Sequence, residues 1–310
     1  MNWKIKAFMQ NAIALLPSSA SYATYYWMQR RIGALRNTDP TGGLLAGIEI
    51  WRRIRAQDRD PVGGVFLEVG TGRVPLVPMA YWMMGARKTF TLDLNRYLKD
   101  EIVEESIHHI RKNEKAIQQV FGELIDATRF ARLLDFSRKQ DFRAKALLDL
   151  CRIEYLAPTN AADTRLPDQS IDYHTSYTVL EHIPPPEIRS ILREGRRVLR
   201  EQGMFVHLVD YSDHFSHTDS GISAINFLQY SDTAWRLYAG NRYMYMNRLR
   251  HDDFVNLFSS ESQRLLDTEP NIDRRSVQLL NSGRLRLDER FGSKSRETLS
   301  ISSSWFIATP

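Results

Sequence analysis

Apolar positions along this chain change their period near Val65. Before that point they recur every three or four residues, and after it short apolar runs alternate with turns and helical stretches. The first sixty residues predict three helices: one through Leu16, stopped by Pro17, then SYATYYWMQRRIGALR, then LLAGIEIWRRIRAQ. The turn-rich stretch NTDPTGG, 37–43, reads as a linker. VFLEV and TFTLDL are the first two predicted strands, and MAYWMMGA between them is a helix closed by Gly85. Residues 96–150 are helical and charged, longer than a plain crossover needs, which predicts a helical insertion capping the strand ends, with a long structural crossover as the plainer alternative. A short strand ends near Tyr155, a buried strand IDYHTSYTVL follows, and Pro184–Pro186 start a helix. Gln202–Gly203 turn into the strand MFVHLVD, and the tail holds a candidate strand near Arg264–Asp267 and a last one, SSSWFIATP. Strands alternating with helices predict an α/β fold with a doubly wound sheet. The expected layout is a helical N-terminal extension, 1–60, then one α/β domain, 61–310.

The N-terminus supports two readings. Lysines, an apolar stretch and small residues imitate a signal peptide, but Gln10 and Asn11 break that stretch. Ile5, Phe8, Met9, Ala12, Ile13 and Leu16 recur at helical spacing, so an amphipathic helix is expected, docked on the protein or lying on a membrane surface. No apolar stretch reaches the roughly 18 residues of a spanning helix. One cysteine, Cys151, rules out an internal disulfide and a cysteine-rich zinc site. A reducing compartment follows, and the chain is expected in the cytoplasm, at most peripheral to the inner membrane surface. A net charge of +5 over 310 residues is too mild for a nucleic-acid partner.

The richest segment is VFLEVGTGRVPLVP, 65–78, followed by a strand ending in Asp93. An apolar run that turns through Gly70 and Gly72, with an acid about twenty residues on, is the front of a nucleotide-type βαβ unit. Pro75 stands where a dinucleotide fingerprint has its third glycine, and Glu68 would repel a pyrophosphate but attract an amine. A ribose, a cationic amine and no phosphate describe S-adenosylmethionine.

With EVGTG (68–72), Asp93, AADTRLP (161–167) and VLEHI (179–183) in this order, the chain resembles class I S-adenosylmethionine-dependent methyltransferases of type 11. The resemblance implies a Rossmann-like methyltransferase sheet and S-adenosyl-L-methionine as cofactor. It implies that Glu68, Gly70 and Gly72 line the methionine end and that Asp93 accepts both ribose hydroxyls. Asp163 would accept from the adenine amine, with Thr164 and Leu166 near the ring, and Ser176 or Tyr177 would face the sulfonium. The helical additions and INFLQYSDTAWRLYAGNRYMYMNRLR are similar to methyltransferases of surface-polysaccharide and glycolipid pathways.

An oxygen nucleophile benefits from a general base, and HLVDYSDHFSHTD offers His207, Asp210, Asp213, His214, His217 and Asp219. Asp210 and His214 are the preferred catalytic pair, with His182 third. The spacing of these acids and histidines is not diagnostic of a metal, and no metal ligands are assigned. NRYMYMNRLR has the residues to stack on sugar rings, with a lid in which Tyr243, Tyr245 and Leu249 point inward as the plainer reading. The expected activity is O-methylation of a small molecule such as a sugar or glycolipid. The alternatives are N- or C-methylation of a natural product, or a non-catalytic binding subunit of the same fold.

Overall fold

A computed structural model of the chain describes residues 1–139, 141–261 and 263–310. One sheet holds β1 (Val65–Val69), β2 (Lys88–Leu92), β3 (Ile153–Leu156), β4 (Ile171–Tyr177), β5 (Leu199–Asp210), β6 (Arg264–Ile272) and β7 (Ile301–Thr309). Its order is β3-β2-β1-β4-β5-β7-β6, parallel through β5, with β7 antiparallel between β5 and β6. All of β1 is buried, as a parallel strand covered on both faces requires, which explains its unbroken apolar run. β6, at the edge, is mostly exposed and carries charges and Pro270, features that discourage further strand pairing. Between Leu199 and Met204, which pair with Ile171 and Tyr173, β5 bulges through the residues expected as a turn. From β1 the chain moves outward to β2 and β3, then returns to β4 on the other side of β1. A crevice therefore opens at the C-terminal ends of β1 and β4, where ligands bind in such sheets.

The helices are α1 (Trp3–Ala14), α2 (Ser18–Ile32), α3 (Thr41–Ala56), α4 (Leu76–Met83), α5 (Asp100–Lys112), α6 (Glu114–Phe121) and α7 (Ala127–Phe136). They continue with α8 (Ala144–Leu150), α9 (Pro185–Val198), α10 (Asp232–Ala239), α11 (His251–Ser260), α12 (Arg274–Asn281) and α13 (Arg296–Ser300). α3 buries Leu44, Ile48, Trp51 and Ile54 in the same core as α4, so it is a layer of the α/β domain and the extension ends near Pro40. α5 to α8 share that core along one sheet face. The start of α7 is tied to the far end of α4, with Arg129 donating to the carbonyls of Trp82 and Ala86. The 96–150 segment therefore covers a face of the sheet, and the expected cap over the strand ends comes from other residues.

α1 is docked on the body, but on a different face from the one its apolar spacing suggests. Trp3, Ala7 and Gln10 are buried, with Trp3 packed among Phe215, Tyr230, Trp235 and Tyr238, whereas Ile5 and Phe8 are exposed. The aromatic partners of Trp3 outweigh the aliphatic stripe, and they come from sequence more than two hundred residues away. No helix among the described residues is long and apolar enough to cross a membrane.

Candidate active site

The turn after β1 needs glycine for two reasons. Gly70 and Gly72 have φ of 92° and 69°, in the left-handed region that side chains avoid. A Cβ on Gly70 would also come within 2.5 Å of the Val179 side chain. The turn is pinned to β2: Gly70 N–H donates to the Leu92 carbonyl at 2.9 Å, and Gly72 N–H to Asp93 Oδ2 at 2.9 Å. These bonds leave a cavity of about 450 Å³ at the β1/β4 crevice, lined by Gly70, Asp93, Asn95, Asn160, Val179 and His182 among others. Apolar walls come from Leu92, Leu94, Ala161, Ile183 and Ile191.

The lid over this cavity belongs to the N-terminal extension. Tyr22 of α2 and Arg242 line the cavity, and Arg242 lies over the Tyr22 ring at 5.6 Å. Tyr243 stacks on Tyr25 at 3.9 Å. Sequence reasoning missed Tyr22; the aromatic density of SYATYYW was its available signal. Residues 241–250 form a loop in which Arg248 and Arg250 are anchors. Arg250 is fully buried and donates to the carbonyls of Tyr211, Leu299 and Ile301, and Arg248 donates to those of Phe227 and Tyr230. Met244 and Met246 point inward there, and Tyr245 is partly exposed.

Several expected site residues lie off the cavity. Glu68 is buried beneath the turn, bonded to Thr91 Oγ1 at 2.8 Å, and Thr91 in turn meets Thr71 at 2.6 Å. Burial, with the nearby Asp93 charge, pushes its carboxyl up to about 8. Asp93 is itself pushed up by burial to about 7, against the bond from Gly72. Asp163 is exposed, 3.9 Å from Arg165, and Asn160 and Ala161 occupy the position expected for it. Thr164 turns away to bond Glu194 at 2.6 Å, and Leu166 packs in the core under α9. Ser176 is fully buried and bonds His207 at 2.7 Å, so neither reaches the crevice. The alternation of side chains along β4 sends Tyr177 to the opposite face, where it meets Trp305 at 5.9 Å.

After β5 the acids and imidazoles separate by role. Asp213 is buried and fixed by Asn226 Nδ2 at 2.8 Å, and Asp219 accepts from the Trp3 N–H at 2.8 Å. Asp210 Oδ2 lies 3.4 Å from His214 Nε2 and 3.7 Å from His217 Nε2. Burial raises the Asp210 carboxyl, but His214 and Ser212 outweigh it and hold it below the usual range. The His214 ring is 4.8 Å from that of His182, so this row runs from the cavity wall toward a second groove. That groove, about 680 Å³, is lined by Tyr177, Asp210, His217, Asn271, Asp273 and Arg274 among others. Burial lowers the affinity of both His182 and His217 for a proton.

Residues 116–207 match the type 11 family model, a methyltransferase domain. The match runs from α6 into β5, so Glu68, Gly70, Gly72 and Asp93 precede it. Among solved structures, the chain is similar to a SAM-dependent methyltransferase from Methanosarcina mazei, at 13% identity over 83% of this chain and 96% of that one, with TM-score 0.45. It is similar also to geranyl diphosphate C-methyltransferase from Streptomyces coelicolor A3(2), at 11% identity, 79% and 73% coverage and TM-score 0.43. The 4+2 cyclase SpnF follows at 12% identity, 85% and 79% coverage and TM-score 0.44. No curated protein matches the chain. The matched domain, the sheet order and the glycine turn support a class I S-adenosylmethionine-dependent methyltransferase. It is an enzyme, and S-adenosylmethionine is its cofactor.

Proposed function

We propose that the enzyme methylates an oxygen of a small-molecule acceptor, with a sugar or glycolipid as the acceptor class. The observation that carries this reading is the row of His182, His214, Asp210 and His217, which begins on the wall of the cofactor cavity and ends in the neighbouring groove. The cavity suits the cofactor: Gly70 leaves its floor free of a Cβ, Asp93 offers a carboxylate, and the walls are apolar. When bound, S-adenosylmethionine supplies an electrophilic methyl group on a sulfonium and leaves as the neutral thioether. The chain's own task is to align an acceptor hydroxyl and take its proton. Burial favours the neutral imidazoles of His182 and His217, and Asp210 stays ionised, so the row has sites to receive that proton near pH 7. In the groove, an aromatic ring, Tyr177, stands among short polar side chains, a lining suited to a polyhydroxyl ligand. Replacing Asp210 with Asn and His214 with Ala is expected to lower turnover on the acceptor by 10²-fold or more with cofactor affinity kept. Unchanged turnover would favour an N- or C-methyl acceptor, which needs no base.

We propose further that α1 touches an anionic membrane surface. Phe8 and Leu15 are 74% and 88% exposed, and Lys4 lies on the same helix beside exposed Ile5. Sedimentation with anionic vesicles should carry the protein down, and Phe8→Asp with Leu15→Asp should leave it in solution. Equal recovery of both proteins would remove the membrane contact.

A further inference from the structure

Glu181 is 2% exposed, within the short turn Leu180–His182 that follows β4, yet neither of its carboxyl oxygens has a hydrogen-bond partner. Backbone groups of Glu181 itself and of Asp210 lie near, but none is in bonding geometry. Buried polar atoms are nearly always satisfied, so a carboxyl left bare at a cavity edge points to a missing partner. His214 Nε2 is also buried, and its contact with Asp210 Oδ2, at 3.4 Å, is not a well-formed hydrogen bond. His182 presents its Nδ1 to the Tyr245 carbonyl at 2.8 Å. A carbonyl only accepts, so Nδ1 carries the proton and Nε2 keeps a free lone pair. That is the arrangement by which a backbone carbonyl orients a metal-binding imidazole. One atom from each of Glu181, His182 and His214 lies within 4.8 Å of the others.

We infer that Glu181, His182 and His214 form a binding site for a divalent first-row transition-metal ion, of which Zn2+ and Mn2+ are examples. Two imidazoles and one carboxylate suit such ions, whereas Mg2+ and Ca2+ prefer oxygen alone. Metal–nitrogen distances of about 2.1 Å set ligand atoms roughly 3.4 Å apart in a tetrahedral site, so the three side chains draw in by about 1 Å on binding. The backbone that carries Glu181 and His182 is already pinned. Asn247 N–H donates to the Glu181 carbonyl, and Asn247 Nδ2 to those of Leu180 and Ile183, each at 2.9 Å. Three protein ligands leave a position open beside the cofactor cavity, which His182 lines. The use of that position rests on the O-methyl reading above: an acceptor oxygen bound there becomes more acidic, and with His182 and His214 on the metal, His217 beside Asp210 is left to take its proton.

Equilibrium dialysis of the full chain against Zn2+, followed by metal analysis, tests the site. Close to one equivalent is expected at micromolar free Zn2+, with at least tenfold weaker binding for Glu181→Gln and for His214→Ala. Both variants should still bind cofactor. A wild-type protein that binds cofactor but no Zn2+, or equal Zn2+ affinity in wild type and variants, overturns the proposal. Should the variants fail to fold, Co2+ bound to the wild type decides instead: a four- or five-coordinate visible spectrum supports the site, and that of the hexa-aquo ion overturns it. If metal binds as expected while Asp210→Asn turns over normally, the O-methyl reading fails and the site stands. If Asp210→Asn is inactive and no metal binds, the reverse holds.

Discussion

Asp93 does two jobs with one carboxylate. Its Oδ2 holds the glycine turn through Gly72, and its remaining lone pairs face the cavity where ribose hydroxyls are expected. Burial keeps its affinity for a proton high, to about pH 7 in the free protein, with buried Glu68 the acidic neighbour beneath. Hydroxyl donors favour the ionised form, so cofactor binding pulls this value down. The direction follows: above about pH 7 the free protein is already ionised and affinity is flat, whereas below it a proton must be shed. Cofactor affinity should weaken toward tenfold for each pH unit below 7. Calorimetry at pH 5.5 to 8.5 would measure it. Asp93→Asn should bind more weakly at every pH and lose the slope, and a slope that survives the substitution would acquit Asp93.

Among the elements, the α3–α4 contact shows most directly how sequence pattern becomes packing. Gly47 sits in the middle of α3, where glycine weakens a helix by roughly 0.5–1 kcal/mol relative to alanine. The crossing explains it, since a Cβ on Gly47 would come within 2.6 Å of the Ala80 Cβ and 3.0 Å of the Val77 carbonyl. Gly42, in the first turn of the same helix, has nothing within 4 Å of an added Cβ. Gly42→Ala should therefore raise stability by up to about 1 kcal/mol. Gly47→Ala should lower it by about 1–3 kcal/mol through overpacking. Urea midpoints of the two variants give opposite signs if the crossing is as described, and two gains would contradict it. The strands were readable because their apolar runs, glycines and terminal acids are local signals. The buried face of α1 was not, because Trp3 finds its partners at Phe215 and beyond. The same limit applies to the site. Gly70 and Asp93 are fixed by one local βαβ turn, but Asp163 and Ser176 were assigned by motif order, and side-chain direction on β4 and in its preceding loop decides against them.

At the scale of the whole molecule, the chain closes its own cofactor cavity with residues that precede the fold. α2 is fastened outside the sheet by Tyr26 to Glu101 at 2.6 Å and by a two-pronged contact of Arg30 with Glu105, both on α5. Exposed or half-exposed pairs of this kind hold weakly, typically within about 1 kcal/mol each. The inner contacts of α2, Tyr22 with Tyr97 and Tyr243 at 6.2 and 5.9 Å, lie directly over the cavity. A helix held by a few aromatic and ionic contacts opens at low free energy, and a ligand beneath it opposes that opening. If the ligand requires α2 closed, at a hundred times its dissociation constant it reduces the open population about a hundredfold. Trypsin cleavage at Arg30 and Arg31 should slow accordingly in the presence of S-adenosylhomocysteine. Cleavage at exposed Arg284 and Arg286, which do not line the cavity, should keep its rate. Equal protection at both places would mean that the ligand stabilises the whole fold and that α2 is no lid. Protection at neither would mean that the cavity fills without α2.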